Sequence, residues 1–118
     1  MITVECAENI LKGNVVAYDS TLNKWALATS TNSLIGVAIQ DCFVDQDNTD
    51  RHIVAVKFQG NVQAIASRDI TNQGGCLNVE NGRVYIDTNN TYHCAMIMPN
   101  FLNSNARVAG DLVTITLR

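Results

Sequence analysis

Strand-sized runs of apolar or alternating residues recur about every ten residues along this chain, and each is closed by a turn signal. The chain starts with strict alternation: Ile2, Val4 and Cys6 on one face, Thr3 and Glu5 on the other. Period 2 puts successive side chains on opposite faces, so this start reads as a half-buried strand or an edge-forming arm. Further strands are expected over 14–18, 24–28, 34–42, 52–58, 61–67, 76–79, 83–87, 92–98 and 111–117. Asn81-Gly82 stands between two of these runs, and that dipeptide favours a type I′ hairpin because both of its residues tolerate φ > 0. Gly13, with no Cβ, suits a turn that opens the strand beginning near Val15. The breaks at Gly60-Asn61, Gly74-Gly75, Asn89-Asn90 and Gly110-Asp111 complete the punctuation, and Pro99–Ala109 reads as a loop with a short helical turn. The expectation is one all-β domain over residues 1–118, a small barrel or sandwich of short strands, with residues 1–8 a candidate N-terminal arm and no internal repeat.

Composition narrows the function classes. Apolar residues make up 47% of the 118 and charged residues 16%, below the roughly 25% of an ordinary soluble domain. Asn and Thr supply much of the missing polarity, which suits a chain packed against copies of itself or a larger surface. Net charge is −3, and the eight Lys and Arg residues are scattered singly. Nucleic-acid affinity needs clustered cations to neutralise phosphates, so no nucleic-acid partner is expected. No run reaches the roughly 18 apolar residues of a membrane-spanning helix, and the N-terminus shows no leader pattern, so synthesis in a reducing cytoplasm is expected. Cys6, Cys42, Cys76 and Cys94 lack metal or redox spacing and read as buried free thiols.

Chemistry-bearing constellations are weak. Asp45–Asp50 alternates carboxylates like the start of a calcium loop, but Asp50 stands where that loop needs glycine and Val56 where it needs a bidentate glutamate. It reads as a solvated hairpin loop. His52 and His93 are the two imidazoles, and His93 beside Cys94 on a strand points to the opposite face. Pairing of His52 with Cys42 or Cys94 stays open, with structural histidines the favoured reading. The sequon Asn89-Asn90-Thr91 carries no weight without a leader. Tyr18 and Trp25 are candidates for a sugar-stacking platform or for interface packing. No enzyme activity, metal or cofactor is expected.

One segment is more specific. Leu11-Lys12-Gly13-Asn14-Val15-Val16, then Lys24-Trp25-Ala26-Leu27-Ala28, then Ile35-Gly36-Val37-Ala38-Ile39 with Asp41 following, resembles the capsid decoration (cement) proteins of tailed bacteriophages. Val54-Ala55-Val56-Lys57-Phe58-Gln59-Gly60 resembles that family's next strand more loosely, so about half the chain is covered. Asn14 departs from the pattern, which often has aspartate there. The resemblance implies a β-clip-like all-β fold that binds the major capsid protein on the outer surface of the virion. It also implies a homotrimer at threefold or quasi-threefold positions, where added interface holds subunits against internal pressure. Capsid contacts are expected in the arm Met1, Ile2, Thr3, Val4 and Glu5, which would add a strand to a capsid sheet edge. Deleting that arm is expected to abolish capsid binding and leave a folded trimer. Tyr18 and Trp25 are the candidate trimer or ligand contacts. The alternative is a small β-clip carbohydrate-binding or spike module of a virion.

Overall fold

The computed structural model describes residues 1–31, 34–44, 52–88, 95–100 and 107–117. Ten strands lie among them: β1 (Ile2–Glu5), β2 (Val15–Asp19), β3 (Lys24–Leu27), β4 (Ile35–Ala38), β5 (Ile53–Lys57), β6 (Gly60–Ile65), β7 (Gly75–Glu80), β8 (Arg83–Ile86), β9 (Ala95–Ile97) and β10 (Leu112–Leu117). They form two five-stranded antiparallel sheets, ordered β1-β5-β4-β2-β3 and β6-β10-β9-β7-β8. The all-β expectation holds.

Adding five to each strand number of the first sheet gives the second. The isolated bridges repeat as well: parallel Cys6–Trp25 matches parallel Ala66–Val84, and antiparallel Ile10–Cys42 matches antiparallel Ile70–Arg107. The chain is therefore two copies of one five-stranded module, a duplication that the sequence reading missed. Burial repeats between the copies while identity does not. Cys6 and Ala66 are both buried, as are Cys42 and Arg107, and of these matched bridge positions only Ile10 and Ile70 share a residue type.

The barrel expectation needs correction. Each sheet rolls until its two edge strands meet near one end, where the Ala7 N–H donates to the Trp25 carbonyl and the Ser67 N–H to the Val84 carbonyl, both at 2.8 Å. Among the described residues the edges then part, so neither sheet closes.

Alternation within the strands builds two cores. Val4, Cys6, Ile10, Val16, Val54 and Val56 fill the inside of the first module, backed by Trp25, Leu27 and Phe58. Val15, Ile35 and Val37 point the other way and join Leu77, Val79, Ile97, Val113 and Ile115 of the second module. The first sheet is thus covered on both faces at its centre, which is why β4 is buried at every position and reads as an unbroken apolar run. Asn14 fastens the junction. Its Oδ1 accepts from the Leu11 N–H at 2.8 Å, and its Nδ2 donates to the Gly82 carbonyl at 3.2 Å. An aspartate here could not make the second bond, because a carboxylate has no proton to give that carbonyl. Asn14→Asp would place a buried charge against a carbonyl oxygen and is expected to cost about 3 kcal/mol in urea unfolding. A cost within about 0.5 kcal/mol of zero, the range of neutral surface changes, would refute this role.

Candidate interaction surface

β1 is no free arm. It pairs with β5 over Ile2–Val56, Thr3–Ala55, Val4–Val54 and Glu5–Ile53, and Val4 is buried. It remains an edge strand, however. The Cys6 N–H turns toward β5 and donates to the His52 carbonyl at 2.8 Å, while the Ala7 N–H turns away toward Trp25. Backbone groups alternate sides along a strand, so Thr3 presents its N–H and C=O groups on the outer edge, while the Glu5 backbone faces β3 at the Cys6–Trp25 bridge. No described strand pairs with that edge ahead of the Cys6 bridge. Met1 is 83% exposed and Ile2, Thr3 and Ile53 are exposed, so apolar surface accompanies the open backbone groups. The Glu5–Lys24 pair, 3.8 Å apart and largely solvated, adds under about 1 kcal/mol.

Tyr18 and Trp25 face each other across β2 and β3, with ring centroids 5.9 Å apart. The indole also meets Phe58 edge-on at 5.2 Å and packs against the first core, so Trp25 is half-buried. Tyr18 is 50% exposed and its hydroxyl donates to Asn23 Oδ1 at 2.8 Å. An open groove of about 310 Å³ runs beside it, lined by Ala17–Ser20 and Ala26–Ser30. Tyr18 lines this groove and Trp25 does not, so the two aromatics are in contact but do not form a shared platform there. Asp19, also on the groove, is spent on its own turn, where Oδ1 accepts from the Thr21 and Leu22 N–H groups at 2.9 and 3.3 Å.

Other candidate groups separate. The acidic loop Asp45–Asp50, the sequon Asn89–Thr91, His93 and Cys94 lie outside the described residues, as does most of Pro99–Ala109. His52 is half-buried, and its Nε2 has no partner among the described residues. The Cys6 thiol meets that of Cys42, and burial, with the Cys42 contact second, pushes the Cys6 pKa up to about 12. A thiol held that high is protonated at neutral pH and is no nucleophile in the closed structure. On the second module, Arg68 forks onto Glu80 at 2.9 and 2.8 Å and covers the Tyr85 ring at 3.9 Å. The Arg68 contact holds the Glu80 carboxyl down at about 2.

Three features escaped the sequence: the Asn14 junction, the thiol contact and a buried Arg107, whose guanidinium donates to the Met98 and Thr71 carbonyls at 2.8 and 2.6 Å. Arg107 sits in a stretch read as loop, where no periodicity marks a residue as buried. Comparison of the chain with protein-family models, curated proteins and solved structures finds no match.

Proposed function

We propose that this chain is a capsid decoration protein that binds the major capsid protein on the outer surface of a tailed-phage virion, as a homotrimer at threefold or quasi-threefold positions. One observation carries the reading: the segment with the family's pattern, Leu11–Asp41, forms β2, β3 and β4, which make up one side of the first sheet, and β1 is the edge strand on the other side, open ahead of the Cys6–Trp25 bridge. Main-chain groups on a sheet edge are a general means of attachment to another sheet, and Met1 and Ile2 add apolar area to it. Tyr18 and the exposed Leu22 at the β2–β3 hairpin are the trimer contacts in this scheme, and the β-clip comparison belongs to the same proposal. Three copies on one base raise the effective concentration of each weak contact.

Because β1 covers Val54 and Val56, deleting Met1–Glu5 would open the first core and would not test binding alone. Thr3→Pro is the sharper variant. It removes one outward-facing N–H and leaves the β5 ladder intact, a placement that strands tolerate only at an edge. The folded variant is expected to cosediment with empty capsids about tenfold more weakly per site, the equivalent of one well-placed hydrogen bond. Undiminished binding by Thr3→Pro would remove β1 from the interface, and failure of the unaltered protein to bind capsids would remove the function.

The groove beside Tyr18 favours a second reading, a saccharide-binding module of a virion, since its volume lies at the lower end for small-ligand sites. Glycan-array binding that Tyr18→Ala abolishes would select it.

A further inference from the structure

The first module holds two thiols where the second holds a clamp. Cys6 follows β1, Cys42 lies between β4 and β5, and they are 3% and 5% exposed, with Ile10 and Val54 in the same core. Their side chains are neighbours in that core, close enough for Cys42 to act on the Cys6 thiol. The backbone fixes both ends: the Cys6 N–H donates to the His52 carbonyl at 2.8 Å, and Cys42 exchanges N–H···O bonds with Ile10 at 2.7 and 2.9 Å. The matching bridge positions in the second module are Ala66 and Arg107. There Arg107 ties the segment before β10 to the Met98 and Thr71 carbonyls.

We propose that Cys6 and Cys42 are a latent disulfide, formed by exchange with a small-molecule disulfide such as oxidised glutathione, that clamps the first module where Arg107 clamps the second. One cysteine, as thiolate, attacks a glutathione sulfur; a mixed disulfide forms and one reduced glutathione leaves. The other cysteine loses its proton and attacks the protein-side sulfur of that mixed disulfide, releasing the second glutathione. The protein gives up two protons and two electrons, and two glutathione thiols carry them away. Access comes through β1, a four-residue edge strand whose fraying uncovers Cys6. The raised pKa of the buried thiol makes exchange slow in the closed state and confines it to that opening. Once made, the link restricts the unfolded chain and stabilises the fold.

Cys76→Ser/Cys94→Ser leaves this pair alone. After incubation with oxidised glutathione and alkylation in denaturant, this variant is expected to show no alkylated cysteine, no bound glutathione and one peptide pair joined through Cys6 and Cys42. Its urea midpoint is expected to rise above that of the reduced form. Two alkylated cysteines, stable glutathione adducts or links between molecules would each overturn the proposal. Peptide mapping of the oxidised unaltered protein decides the matter if the variant fails to fold: a Cys6–Cys42 pair supports the proposal, and a link through Cys76 or Cys94 in its place refutes it.

Discussion

Gly74→Ala is expected to lower the stability of this protein by about 4 kcal/mol, most of the stability of a domain at the low end of the usual range. Two effects combine. Gly74 has φ +73, a left-handed conformation that costs a residue with a Cβ about 1–2 kcal/mol. The added Cβ would also lie 2.2 Å from the Ile97 carbonyl oxygen and 2.8 Å from the Met98 carbonyl carbon. Those are backbone atoms at the end of β9, and Ile97 is locked in the larger core, so no side-chain rotation relieves the clash. Overpacking of this kind costs roughly 1–3 kcal/mol more. Gly110→Ala separates the two effects. Gly110 has φ +93, but nothing lies within 4 Å of its would-be Cβ, so only the backbone cost of about 1–2 kcal/mol applies. Urea unfolding of both variants checks the difference, and equal losses would show that the approach of β9 to Gly74 is not what requires glycine.

Local signals in the sequence placed the strands well. Asn81 and Gly82 form the expected turn with φ 47 and 76, Gly13 opens β2 at φ 94, and the ten expected strand ranges each coincide with or overlap an observed strand. Alternation states which side of a strand is apolar but not which strand lies beside it, so the order β1-β5-β4-β2-β3 was out of reach. The duplication was hidden for a related reason. A module constrains burial and backbone pairing, which Cys6 and Ala66 satisfy equally, and a cysteine–cysteine contact at one site does the packing that an arginine does at its counterpart. Met1–Glu5 shows the same limit at the candidate surface. The alternating sequence specifies a strand with one buried face, and only the register with β5 shows it to be an edge strand, with its Thr3 backbone groups outward.

Arg107→Ala should produce the second large loss, about 3–4 kcal/mol, and Arg107→Lys should recover less than half of it. Arg107 is 9% exposed, and its guanidinium forks between two carbonyls on different segments, Met98 after β9 and Thr71 after β6. Hydrogen bonds from a charged donor contribute roughly 1.5–3 kcal/mol each, and truncation removes both, although the Thr71 carbonyl keeps its bond from the Gly74 N–H at 3.2 Å. Against this stands the cost of burying the cation, which lowers its pKa below the usual arginine range, and an Nε with no partner among the described residues. The net value of Arg107 is therefore smaller than the loss on truncation, since the variant removes the bonds and leaves the carbonyls behind. Lysine carries one ammonium on a flexible stem and cannot hold both carbonyls in a fixed fork. The change should also be local. The Ile70 N–H donates to the Arg107 carbonyl and the Met98 N–H to the Thr114 carbonyl, both at 2.9 Å, so hydrogen exchange at Ile70 and Met98 should quicken before exchange in β2 or β4. A loss below about 1 kcal/mol, the worth of a single ordinary hydrogen bond, would mean that this corner of the second module needs no clamp. The thiol pair at the matching corner of the first would then be packing only.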